Sequence, residues 1–141
     1  MISLLFALWI FFFSSVQSEE KGKLEIRITN AKSDQGKIRV LIFSSESGFP
    51  DQPQKALRSI SLDPKNKGCE LAFSNLPHGK YAISVIHDEN NDGKMTTNFF
   101  GYPNERFGFS NNPKIYLGPP TFEKAAFELR SENQQIQIDL H

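Results

Sequence analysis

Over most of this chain, apolar and polar residues take turns. Leu24, Ile26 and Ile28 alternate with Glu25, Arg27 and Thr29, and that period of two predicts a half-buried strand. Ser33-Asp34-Gln35-Gly36 then turns the chain, and Lys37-Ile38-Arg39-Val40-Leu41-Ile42-Phe43 predicts a second, more buried strand. Residues 47–53 hold two prolines and a glycine, so they read as a loop. Leu57, Ile60 and Leu62 predict a weaker strand, closed by a turn over residues 63–68. Cys69, Leu71 and Phe73 alternate again, and Asn75-Leu76-Pro77-His78-Gly79-Lys80 turns the chain into an apolar strand over residues 81–86. Ala126-Phe127-Glu128-Leu129 and Ile136-Gln137-Ile138-Asp139-Leu140 predict two more strands. Only residues 122–127 look like a helical turn. About seven short strands with turn signals between them predict an all-β fold, a single antiparallel β-sandwich of Greek-key type.

Length and charge then narrow the picture. At 141 residues the chain fits one domain. Acidic and basic residues balance at 16 each, which leaves no basic stripe for nucleic acid to meet. Residues 1–18 read as a signal peptide. Leu4 to Phe13 is an unbroken apolar run, shorter than the roughly 20 residues that span a bilayer. Small and polar residues, Val16-Gln17-Ser18, follow and suit cleavage before Glu19. The expectation is a mature domain over residues 19–141, secreted or periplasmic, with no stable membrane span once the leader is removed. Cys69 is the sole cysteine, so no intrachain disulfide forms. It reads as a small buried hydrophobe.

One stretch departs from the alternation. About forty residues separate the strand ending near Ile86 from the one near Ala126, against a usual connection of ~4–6. Its start, Asp88-x-Asn90-x-Asp92-Gly93-Lys94, matches the first half of an EF-hand-type calcium loop. Alternate oxygens in a tight arc can face one centre, and glycine allows the sharp turn. Asp88, Asn90 and Asp92 would give side-chain oxygens, Lys94 its carbonyl, and Thr96 could hold a bridging water. At the twelfth position, where a bidentate Glu is expected, stands Phe99. Glu89 or the more distant Glu105 is left to supply the missing carboxylate. The same residues also make a polar hairpin turn without any metal, since Asn-Asp-Gly is itself a turn signal. If calcium binds, it is the only cofactor, held weakly, on the order of 10⁻⁴–10⁻³ M.

Further along the stretch come Phe99, Phe100, Tyr102, Phe107 and Phe109, with glycines between them and Asn104, Asn111 and Asn112 nearby. Two readings are open: a small satellite core under the loop, or a stacking platform. On the second, Tyr102, Glu105, Phe107, Phe109 and Asn111 would contact an unidentified protein or glycan partner.

Two resemblances sharpen these expectations. Phe73-Ser74-Asn75-Leu76-Pro77-His78-Gly79-Lys80-Tyr81-Ala82-Ile83 resembles the Leu-Pro-x-Gly-x-Tyr turn of transthyretin-like and carboxypeptidase-regulatory-like β-sandwich modules, with His78 where a second proline is common. A solvated turn histidine is the role expected of it. His87-Asp88-Glu89-Asn90-Asn91-Asp92-Gly93-Lys94, Asn98-Phe99-Phe100-Gly101-Tyr102-Pro103-Asn104-Glu105 and Phe107-Gly108-Phe109-Ser110-Asn111 are together similar to the signature of the DUF2141 family. The trailing Gly118-Pro119-Pro120-Thr121-Phe122-Glu123-Lys124-Ala125-Ala126-Phe127 resembles it too, and the likeness runs from Leu24 to Leu140. That resemblance implies an exported bacterial sandwich and no particular reaction. Members of the family often carry Asp where Thr96 stands here.

The expected function is therefore an exported, non-catalytic module that binds through the 87–112 loop, with calcium as its candidate stabiliser. The alternative is a small extracytoplasmic hydrolase using His87 with Asp88, Glu89 and Glu105. It lacks a nucleophile, because no serine lies in a recognisable elbow.

Overall fold

The computed structural model describes residues 14–93 and 104–141. Of the residues singled out above, the apolar run of the leader and Lys94, Thr96, Phe99, Phe100 and Tyr102 lie outside that range. Among the described residues there are eight strands: β1 Lys21–Thr29, β2 Lys37–Phe43, β3 Arg58–Leu62, β4 Cys69–Pro77, β5 Gly79–Asp88, β6 Phe107–Phe109, β7 Phe127–Leu129 and β8 Asn133–Asp139. A short 3-10 turn, Pro53–Lys55, and a one-turn helix, α1 Phe122–Ala125, are the helical pieces. None of these is long or apolar enough to cross a membrane.

The strands make two packed sheets, one in the order β4-β1-β8 and one in the order β3-β2-β5-β6, with β7 also on β5. The alternation in the sequence decides which side chains face inward. Leu24, Ile26 and Ile28 of β1 are buried while Lys23 and Arg27 face water. They meet Ile38, Val40 and Ile42 of β2 and Ile83 and Val85 of β5 across the sandwich, with Leu129, Ile138 and Leu140 closing the core. Cys69 is half-buried against this core, and burial, helped by the charge of Glu70, pushes its thiol up to about 11. It is a packing residue in its neutral form.

Three features differ from the pattern read in the sequence. First, β1 and β8 pair in parallel, from Lys23↔Asn133 to Thr29↔Asp139, whereas the other pairings are antiparallel. Alternation fixes which face of a strand is buried, but the neighbour is chosen by chain topology, and here the first and last strands meet. Second, β4 continues through Asn75-Leu76-Pro77, where a turn was expected. It lies at a sheet edge, where proline's missing N–H leaves no ladder bond unmade. Asn75 at φ 57 absorbs a register shift against β1, a bulge. Third, Phe107-Gly108-Phe109 forms a strand within the long connection.

That third strand organises the crossing. β6 lies along Ser84–Ile86 of β5, and β7 lies along Gly79–Tyr81 of the same strand. The chain thus leaves β5 at Asp88 and comes back twice to β5's own edge. Gly108 sits hard against β8: a Cβ there would lie 2.9 Å from the Asp139 carbonyl oxygen and from Ile138 Cγ2. Phe109 reaches the outer face of the second sheet, where Phe43, Ala82, Phe122 and Ala125 form a second buried cluster. β5 is therefore covered on both faces, which explains its nearly continuous burial.

Candidate functional site

At the end of β5, the Asp88 side chain is fully buried. Its Oδ1 accepts the Asp92 amide at 3.1 Å, and its Oδ2 accepts the Gly93 amide at 2.8 Å. Arg39, on the neighbouring β2, donates from Nε to Oδ2 at 2.6 Å. The β2–β5 register sets Arg39 opposite Ile86, so Asp88 is its diagonal neighbour, within reach of a long side chain. Arg39 also donates to Asn91 Oδ1 at 2.7 Å and to Ser61 Oγ at 3.0 Å. Burial by itself pushes the Asp88 carboxyl up. The Arg39 hydrogen bond, the Gly93 and Asp92 amides and the Arg39 charge outweigh it, and they hold the carboxyl below its usual value.

The backbone cooperates. Asn91 at φ 54 and Gly93 at φ 80 close the turn. Gly36 lets the 33–36 turn lie directly against it, since a Cβ there would fall 2.1 Å from the Asp88 carbonyl oxygen. Asn90 accepts the Asp92 amide at 3.3 Å and donates to Asp92 Oδ2 at 3.1 Å.

Glu105, at the far end of the crossing, is buried beside this turn. Asp88, Asp92 and Glu105 each bring a carboxylate oxygen within 4.8 Å of the others. Two unit charges that close repel by about 1 kcal/mol in water and roughly 3–4 kcal/mol at an effective dielectric of ~20. Arg39 offsets part of that repulsion. Of the two carboxylates that could complete the set, Glu105 has joined it. Glu89 has turned away, accepting from Ser33 Oγ at 3.1 Å and pairing with Lys32 at 3.6 Å.

His87 is fully buried and both its ring nitrogens are engaged. Nδ1 accepts the Lys32 amide at 3.2 Å, so Nε2–H donates to the Gln35 carbonyl at 2.7 Å. It pins the 32–35 turn to β5 and presents no ring nitrogen to a substrate. His78 stands in its turn beside Glu20, 3.2 Å from its carboxylate.

Of the crossing's aromatics, the described Phe107 and Phe109 pack against neighbouring rings. Phe109 is buried, with its ring centroid 6.0 Å from Phe49 and 5.9 Å from Phe107. Phe49 in turn meets Phe43 at 5.3 Å and Phe122 at 6.0 Å. Among the described residues these rings make a satellite core. Phe107 is half-buried and lines an open groove with Pro113, Ile115, Tyr116 and His141. Asn111 and Asn112 adopt φ 65 and 43 and act as clasps. Asn111 donates to the Lys124 and Ala126 carbonyls. The Asn112 carboxamide donates to the Gln137 carbonyl at 3.0 Å and accepts the Asp139 amide at 2.9 Å, as a neighbouring strand would. Asn104 is exposed beside Glu105.

The model of a family described as an uncharacterized protein conserved in bacteria, DUF2141, matches residues 26–137. The chain belongs to this family. No curated protein and no solved structure matches it.

In this DUF2141 chain the residue that sequence reasoning passed over is Arg39. It occupies a polar position of an alternating strand, where an outward cation is ordinary, and its partner lies 49 positions away. Only the β2–β5 register brings the two together. Of the metal set read from the sequence, Asp88, Asn90 and Asp92 do gather in one turn, with Glu105 added across the crossing. Of the platform set, Phe109 and Asn111 are committed to packing and clasping, while Phe107 keeps part of its surface.

Proposed function

We propose that this DUF2141 chain is an exported, non-catalytic β-sandwich module whose long crossing is clipped at its base by a calcium ion, and that the crossing carries the surface a protein or glycan partner meets. The observation behind this reading is the approach of Asp88, Asp92 and Glu105 within 4.8 Å of one another. They flank the crossing on both sides, so a cation among them would tie its two ends together. Among the described residues the three carboxylates gather beside the Arg39 guanidinium, an acidic set of the kind that suits a divalent ion. Oxygen ligands of this kind favour a hard cation such as calcium. Export rests on the leader pattern of residues 1–18, and the partner-facing surface on the half-buried Phe107 with Ile115 and Tyr116.

The test is calorimetric titration of the mature domain with calcium, followed by thermal melts in calcium and in chelator. At ten times its dissociation constant, calcium should add about 1.4 kcal/mol. The gain should vanish in Asp92→Asn and in Glu105→Gln. No heat of binding, with identical melts in calcium and chelator, would remove the cation from the reading.

A further inference from the structure

Asp92-Gly93 is a dipeptide with a chemistry of its own. An aspartyl carboxyl followed by an unhindered amide can close on it. The Gly93 nitrogen bonds to Asp92 Cγ, the Cγ–OH bond of the protonated carboxyl breaks, and the hydroxyl leaves as water with the amide proton. The resulting five-membered succinimide then takes up one water. Addition at the Asp92 main-chain carbonyl carbon breaks its bond to the Gly93 nitrogen and leaves isoaspartate. Addition at Cγ restores aspartate. One water is lost and one regained, and nothing is oxidised or reduced.

Among the described residues none hinders this sterically. Asp92 and Gly93 are both exposed, and no described residue lies within 4 Å of where a Gly93 Cβ would be. A hydrogen bond stands in the way instead. The attacking nitrogen donates its N–H to Asp88 Oδ2 at 2.8 Å, and the preceding amide, that of Asp92, donates to Asp88 Oδ1 at 3.1 Å. Asp88 cannot easily swing aside, because Arg39 holds the same Oδ2 at 2.6 Å and the side chain is fully buried. For the nitrogen to turn toward Cγ, the peptide must rotate and break its bond to a charged acceptor. Nor is Asp88 placed to serve as a base for the attack, since both its oxygens are taken up by the two amides and Arg39.

We propose that Asp92-Gly93 is a latent isomerisation site, kept closed by the grip of Asp88 on the Gly93 amide. Opening it inserts one carbon, Cβ, into the backbone of the turn, makes Cγ the peptide carbonyl and leaves the free carboxylate on Cα, out of the group Asp92 forms with Asp88 and Glu105. This proposal does not depend on a bound cation.

The experiment incubates the mature protein in chelator at neutral pH and physiological temperature. Isoaspartate at position 92 is counted by backbone-cleavage mass spectrometry, which separates the two isomers at equal mass. A hydrogen bond to a charged acceptor, converted at ~1.36 kcal/mol per tenfold, corresponds to slowing by about tenfold to a hundredfold. The folded wild type should therefore isomerise that much more slowly than the same chain unfolded in urea. Asp88→Asn, checked as folded by its melting transition, should recover much of the unfolded rate, and Arg39→Gln a smaller part. Asp92→Glu, whose ring closure is six-membered and slow, should stay unmodified in every state. A folded wild type that isomerises as fast as the unfolded chain overturns the proposal. So does a folded Arg39→Gln or Asp88→Asn protein that is as protected as wild type.

Discussion

The two ends of the crossing are built by opposite means. Where the chain leaves β5, polar groups do the holding: Asp88 between two amides and Arg39, with Asp92 and Glu105 alongside. Where it comes back, rings do the holding: Phe109 among Phe43, Phe49 and Phe122, with Asn111 and Asn112 as clasps. The first arrangement answers to protons, salt and cations, because its energy lies in charge. The second answers to shape and volume. A perturbation that separates these responses tests whether the division is real.

The largest effect is expected from Phe109→Ala, which empties a buried ring and should cost about 3–5 kcal/mol. Denaturant unfolding would measure it, and the loss should be the same in calcium and in chelator. A loss that calcium reverses would blur the two halves. Next comes Asp88→Asn, expected to cost roughly 2 kcal/mol as a charge-assisted set of hydrogen bonds is weakened. Its pH dependence has a definite sign. The folded Asp88 carboxyl sits below its usual value, so its contribution is fully present above an unfolded value of about 3.9 and is lost as pH falls through the lower folded one. Wild type should thus lose more melting temperature below about pH 4 than Asp88→Asn does. Asp139 is also lowered, chiefly by its hydrogen bond from Thr29, so the variant will keep some acid sensitivity. The smallest effect belongs to Asn112→Ala, about 1 kcal/mol for its two bonds to β8, measured by the same unfolding curves and unmoved by pH. An Asn112→Ala protein as unstable as Phe109→Ala would mean the clasp, not the rings, secures the return.

The parts legible in the sequence were the local ones. β1 announces itself by a strict period of two, β2 by its apolar run, and the acidic turn by oxygen-bearing residues at alternate positions. Glu105 could be named as a contributor but not chosen over Glu89, because the choice depends on how the far end of the crossing folds back. β6 was hidden for a related reason: Phe-Gly-Phe among other aromatics and glycines shows no alternation long enough to stand out, and its strand state comes from the edge β5 offers. The parallel meeting of β1 with β8 and the reach of Arg39 to Asp88 are long-range facts of register. Nothing in a window of ten residues encodes them.

Because β6 and β7 dock on one edge of β5, departure and return share a single rail. One strand thus carries the register of both footings, and a change that slides β5 against β2 would carry the acidic turn and the aromatic return with it.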